Sequence, residues 1–218
     1  MPRQARSVFA NIPHHVTQRG NRKTDVFFCD KDKDYYLELL QEYTTKHQVK
    51  VLAYCLMTNH IHLILQPATA DGLQKVLKPL HMRYSQYINK QQNTSGILWQ
   101  GRFFSCALDE KYTYYAFAYV ENNPVKANMV DNVQDYFYSS ARFHLGLDKN
   151  SLLVECDIGV RQDEYGNYLK NMSFQNNDIL KCNTRKGLPC GSADFVKKLG
   201  KIVGRDLSFK GVGRPKKG

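Results

Sequence analysis

The stretch HIHLILQP at residues 60–67 constrains this chain more than any other. A β-strand sends successive side chains to opposite faces. As a strand, these residues put Ile61, Leu63 and Leu65 on one side and His60, His62 and Ile64 on the other. The first side needs burial under helices, and the second presents two adjacent imidazoles. VKVLAYCLM (49–57) reads as a preceding strand and Thr58-Asn59 as the turn, so the two strands form a hairpin. Any fold for this chain has to cover one face of that hairpin.

Helical patterns of the right kind flank it. Asp30 caps DKDKDYYLELLQEYTTKHQ, where Tyr36, Leu39, Leu40 and Tyr43 recur at i, i+3, i+4 and i+7. Asp71 caps a second pattern, with Leu73, Val76, Leu77, Leu80, Tyr84, Tyr87 and Ile88 as its apolar stripe. Pro79 inside that pattern predicts a kink or a late start. HHVTQRG (14–20) predicts a first strand, and GILWQGRFFSCAL (96–108) a loop and a strand. KYTYYAFAYVEN (111–122) predicts a helix, and a short one, PVKANMV, follows Asn123. The order β-α-β-β-α-β-α predicts an α+β fold: a ferredoxin-like antiparallel sheet with helices on one face and the other face open for a ligand. Residues 1–135 are assigned to this domain and 136–218 to a C-terminal extension with a basic tail. Residues 131–180 show no clear periodicity, and Ser192 predicts the cap of a helix ADFVKKLGKIV.

The net charge of +11 calls for a polyanionic partner, either nucleic acid or an anionic membrane surface. Residues 181–218 carry eleven Lys/Arg against two Asp, leaving 1–180 nearly balanced at +2. No run approaches the roughly 18–20 apolar residues of a membrane span, and MPRQARSVFA lacks the apolar core of a signal peptide. The six cysteines include no C-x-x-C pair. The expectation is a cytoplasmic protein with reduced thiols and no membrane partner.

His60 and His62 share one strand face and can chelate a divalent ion, given a third oxygen or nitrogen donor. An exposed strand that merely carries two histidines is the plain alternative. Tyr119 lies four residues before Asn123, so phenol and amide share a helix face if the helix reaches that far. A phenol can attack phosphate once a cation neutralises the phosphate charge, and Asn123 is then the neutral third ligand. Against this, Tyr112, Tyr115 and Tyr119 are spaced like a core stripe, and Asn123-Pro124 is an ordinary helix start.

At these residues the chain resembles the HUH-type single-tyrosine transposases, and among them the REP-associated tyrosine transposases of bacteria. The matching stretches are HVTQRGN (15–21), LMTNHIHLIL (56–65), LWQGRFF (98–104) and YVENNPVKANMV (119–130). The resemblance implies a catalytic ferredoxin-like domain with His60 and His62 as metal ligands, Tyr119 as nucleophile, and Asn123 on or near the metal. It implies Mg²⁺ or Mn²⁺ as cofactor and single-stranded or hairpin DNA as partner. It also implies cutting that leaves a 5′-phosphotyrosine and a free 3′-hydroxyl, followed by strand joining without a nucleotide triphosphate. That agrees with the lack of a G-x-x-x-x-G-K-[ST] loop. Two other readings stand beside it. One is a non-catalytic relative that binds structured single-stranded DNA or RNA on the open sheet face. The other is a replication-initiator nuclease, which the short chain disfavours. Monomer and homodimer with exchanged tyrosine helices are both open.

Arg19, Arg22, Lys23, Arg83 and Arg102 are candidate phosphate contacts. Trp99 is either a base-stacking platform or a core anchor. Gly213-Arg214-Pro215 resembles an AT-hook core, with Arg214 directed at a narrow minor groove. The basic segment 181–218 is expected to add DNA affinity and to take no part in the chemistry.

Overall fold

The computed structural model describes residues 7–172 and 177–209. Four strands, β1 (His14–Arg19), β2 (Val49–Met57), β3 (His60–Pro67) and β4 (Phe104–Ala107), form one sheet in the order β2-β3-β1-β4. Each neighbouring pair is antiparallel. With α1 (Asp30–Lys46) after β1 and α2 (Gly72–Gln91) after β3, this is the expected ferredoxin-like α+β arrangement. The hairpin register pairs Met57 with His60 and Cys55 with His62, across the Thr58-Asn59 turn.

The alternation of β3 sorts as its sequence requires. Ile61, Leu63 and Leu65 are fully buried in one core with Leu39 and Leu40 of α1 and Leu73, Val76, Leu77, Leu80 and Tyr84 of α2. Complete burial of such side chains contributes about 1.5–3 kcal/mol each, which makes this the dominant core. Two details differ from expectation. The α1 cap is supplied by Asp32 rather than Asp30: its Oδ2 accepts from the Phe28 and Cys29 backbone N–H at 2.8 and 3.1 Å. A carboxylate at the third helical position satisfies the orphan N–H groups ahead of it. The α2 helix runs unbroken through Pro79, because the apolar stripe on both sides of the proline is anchored in the same core.

The second sheet face is not open. On it lie α3 (Glu110–Glu121), α6 (Tyr165–Met172), packed on α3, and α7 (Asn177–Lys186), packed on β4. Ala53, Cys55, Ile64 and Cys106 of the sheet are buried there with Ala116, Phe117 and Val120 of α3, Leu169 of α6 and Leu180 of α7. The expected bare face is thus covered by α3 together with helices from the later part of the chain, where the sequence shows little periodicity. The same part also satisfies the edge of β2. Leu56 N–H donates to Tyr138 O, Ser140 N–H to Tyr54 O and Val154 N–H to Val51 O, at 2.9, 3.0 and 2.9 Å, so this edge does not expose a bare row of backbone groups. Between α3 and α6 lie α4 (Asn123–Lys126) and α5 (Ala141–His144), and the last described helix is α8 (Ala193–Val203). Ser192 caps α8 as expected, its Oγ accepting from Phe195 N–H at 3.2 Å. The six cysteines carry no disulfide, and no described helix is long and apolar enough to cross a membrane.

Glu121 at the end of α3 ties the two parts together. Its side chain is wholly buried and meets the Ser140 hydroxyl at 2.5 Å, His144 Nδ1 at 2.6 Å and the Tyr165 hydroxyl at 2.9 Å. Removing a buried carboxylate leaves its partners unpaired, which costs about 3–5 kcal/mol. Glu121→Ala is therefore expected to lower unfolding stability by about that amount. Urea denaturation reads it, and a loss below about 1 kcal/mol would contradict the tie.

Candidate active site

On the second face, one cavity of about 260 Å³ remains between sheet and helices. β1 contributes His15, Thr17 and Arg19, β3 contributes His60 and His62, α3 and α4 contribute Tyr119 and Asn123, and α7 contributes Lys181, Thr184 and Arg185. Strand alternation puts His15, Thr17 and Arg19 on this side of β1, because Val16 between them is buried under α1 and α2.

The three rings of His15, His62 and Tyr119 form a corner. His15 and His62 lie nearly parallel, with centroids 5.2 Å apart and planes inclined by 10°. Tyr119 stands edge-on to both, at 5.5 Å from His15 and 5.3 Å from His62. His60 meets His62 edge-on at 4.9 Å. Tyr119 itself is 6% exposed, and its hydroxyl makes no hydrogen bond among the described residues.

Hydrogen bonds leave one ring nitrogen of both His60 and His62 without a partner among the described residues. His60 Nδ1 bonds Asn59 Oδ1 at 2.7 Å, and His62 Nδ1 bonds His15 Nε2 at 2.9 Å. Neither Nε2 atom has a hydrogen-bond partner among the described residues. The Asn123 amide nitrogen donates to Tyr119 O at 2.6 Å, which leaves its Oδ1 as the unused acceptor. Burial lowers the His60 pKa to about 4, with Arg19 adding to the effect. Burial also pushes His62 well below its ordinary value, with His60, His15 and Lys181 adding to it. Both imidazoles are therefore neutral near pH 7, the state in which the ring nitrogen can bind a metal. Two neutral imidazoles and an amide oxygen are a donor set that fits a divalent ion of modest affinity. Among the described residues no three His, Cys, Asp or Glu side chains gather as a metal-holding group, so an amide or water oxygen has to complete any such shell.

The other expected contacts separate into two sets. Arg19 lines the cavity, with its guanidinium 3.5 Å from Gln100 Oε1. Arg22 and Lys23 are exposed in the turn after β1, where Asn59 bonds the Lys23 carbonyl, and Arg102 is exposed ahead of β4. Arg83 is not with them. It sits on α2, over the opposite sheet face, and pairs with Glu42 at 2.8 Å. Trp99 cannot serve as a stacking platform, because it is 5% exposed and wedged among Tyr36, Tyr84 and His81. Arg214 and its Gly-Arg-Pro segment lie outside the described residues.

The segment 181–218, expected to add DNA affinity and to take no part in the chemistry, reaches the cavity through α7. Lys181, Thr184 and Arg185 fall at helical spacing on one face of α7, and that face closes the cavity. The Lys181 ammonium lies 5.9 Å from the Tyr119 ring centroid. Sequence reasoning also passed over His15. Its position in a strand could be read, but its meeting with His62 depends on the pairing of β1 with β3.

Residues 8–123 match the protein family described as IS200-like transposases. The chain is 26% identical over 153 residues to a REP-associated tyrosine transposase of Haemophilus influenzae, covering 62% of this chain and 86% of that protein. Its fold is similar to the structure of a REP-associated tyrosine transposase bound to a REP hairpin, with a TM-score of 0.57 and 17% identity. That likeness covers 74% of this chain and 98% of the other.

Burial raises the Tyr119 pKa to about 12; Arg185 pulls it down and Asp178 pushes it up. For an acid, a raised pKa means that the neutral form persists to higher pH. Ring-labelled tyrosine NMR, assigned with Tyr119→Phe, is expected to show an un-ionised Tyr119 at pH 9 and a midpoint near 12. A midpoint at or below the ordinary value of about 10 would contradict this environment.

Proposed function

Because this chain belongs to the family of IS200-like transposases, we propose that it nicks and rejoins single-stranded DNA through Tyr119. The observation that carries the reading is the meeting of Tyr119, the neutral imidazoles of His60 and His62, and three cations, Arg19, Lys181 and Arg185, in one cavity. The Tyr119 oxygen attacks the scissile phosphorus, and the bond to the 3′-oxygen breaks. The phenol gives up its proton, and the departing 3′-oxygen gains one as a free hydroxyl. The product is a 5′-phosphotyrosine, which retains the energy of the phosphodiester bond. A 3′-hydroxyl of a second strand can then attack it, restoring the phenol without any nucleotide triphosphate.

The resting phenol is a poor nucleophile, and Lys181 and Arg185 address this. Positive charge beside the ring favours the phenolate, and the same charges draw a phosphate into the cavity. Mg²⁺ or Mn²⁺ held by His60, His62 and the Asn123 amide oxygen would supply Lewis-acid polarisation of a non-bridging phosphate oxygen. Arg19, Arg22, Lys23 and Arg102 extend the positive surface from the cavity and hold the DNA backbone. The substrate is proposed to be a hairpin of the REP type with a single-stranded flank. The support for this is the fold shared with a transposase bound to a REP hairpin.

Incubation with a labelled hairpin, followed by denaturing electrophoresis, tests the nucleophile. Tyr119→Phe is expected to abolish the covalent adduct, while Tyr112→Phe and Tyr115→Phe keep it. An adduct that persists in Tyr119→Phe would refute the assignment, and hairpin binding with no adduct in the parent protein would mark a non-catalytic binder. Excess chelator is expected to stop cleavage and added Mn²⁺ to restore it. Undiminished cleavage in the His60→Ala/His62→Ala double variant would remove the metal from the reading.

A further inference from the structure

We propose that Thr184 and His15 are positioning residues that fix the tautomer of His62, so that α7 completes a metal site whose ligands all lie at or before residue 123. The proposal rests on reading His60, His62 and Asn123 as the ligands.

The direction of each hydrogen bond follows from a backbone carbonyl. The Thr184 hydroxyl donates to Leu180 O at 2.7 Å, which leaves its oxygen to accept. His15 Nδ1 lies 2.8 Å from that oxygen and in this arrangement carries the proton. In a neutral imidazole the other nitrogen is then bare, so His15 Nε2 accepts. Its partner at 2.9 Å is His62 Nδ1, which therefore carries a proton and leaves the His62 Nε2 lone pair for the cavity. The Cys106 sulfur lies 3.1 Å from the Thr184 oxygen, where either atom can donate, and in both cases that oxygen keeps a lone pair for His15 Nδ1. His15, His62 and Thr184 are 1%, 5% and 1% exposed, so water does not offer the chain an alternative partner.

His60 is oriented by the same logic on a shorter path. Asn59 Nδ2 donates to Lys23 O at 3.1 Å, which fixes the amide and turns its oxygen to His60 Nδ1 at 2.7 Å. That oxygen only accepts, so His60 also carries its proton on Nδ1. Two independent chains, each ending on a backbone carbonyl, thus present two Nε2 lone pairs to one cavity. Partners of this kind orient metal-binding imidazoles and raise their basicity. The His62 chain has a further effect. It holds the His15 and His62 rings parallel, and Tyr119 stands edge-on to both.

The test uses the full-length, metal-free protein with ¹⁵N-labelled histidine. Long-range ¹H–¹⁵N correlation spectra report which ring nitrogen carries the proton, with His62 assigned from His62→Ala. The parent protein is expected to show His62 protonated on Nδ1. Thr184→Ser keeps the acceptor and should keep that tautomer. Thr184→Val is nearly isosteric but removes the acceptor, and it should move His62 towards the Nε2-protonated form. His15→Phe should do the same. Mn²⁺ affinity, followed by electron paramagnetic resonance, should fall about tenfold or more in His15→Phe, fall in Thr184→Val, and hold in Thr184→Ser. A His62 tautomer and Mn²⁺ affinity unchanged in a folded Thr184→Val would overturn the proposal. Mn²⁺ binding that survives the His60→Ala/His62→Ala double variant would instead overturn the ligand assignment, while the metal-free spectra still judge the relay.

Discussion

The central pairing of β1 with β3 is the contact on which the rest of this protein depends. These are the two inner strands of the sheet, with Thr17 opposite His62 and His15 opposite Ile64. The pairing buries Val16, Ile61, Leu63 and Leu65 together under α1 and α2. On the reverse side it brings His15 against His62. A register slip of one residue would exchange the faces of a whole strand, burying imidazoles among leucines and exposing the aliphatic set. The hydrophobic core and the candidate site are therefore two sides of one register.

The second layer then converts an exposed pair of imidazoles into an enclosed site. Burial is what drives His60 and His62 towards the neutral state and the Tyr119 phenol upwards. Those shifts follow from desolvation by burial, which the sheet with one face open to water would not provide. Polar contacts hold the layer in place as much as apolar ones do. Glu121, two residues beyond Tyr119, gathers donors from the segment that follows. The end of the tyrosine helix and the later part of the chain are thus fixed to each other.

This arrangement also changes the meaning of the basic C-terminal segment. Its charge, read along the chain, is that of a tail attracted to DNA. In the folded protein its first turns are a wall of the cavity, with Lys181 and Arg185 towards Tyr119 and Thr184 bonded to His15. The family match ends at residue 123, so the cavity is lined partly by chain outside the recognisable stretch.

The sequence by itself determined the sheet and the side of it that matters. Period-two alternation in HIHLIL separates aliphatic from imidazole side chains, and the apolar stripes of α1 and α2 require the first face as their partner. The spacing of Tyr119 and Asn123 was likewise legible, because a helix puts residues four apart on one face. Only the tertiary structure decided that the second face is covered, that His15 faces His62, and that α7 reaches Tyr119. These contacts join residues 47, 169 and more than 60 positions apart, and no local periodicity encodes such a distance. Trp99 shows the same limit. An aromatic residue beside Gln100 and Arg102 has the composition of a nucleic-acid contact, and only its burial among Tyr36, Tyr84 and His81 shows that it belongs to the core. Local patterns fix what each segment can be, while burial and pairing between distant segments fix which side chains meet.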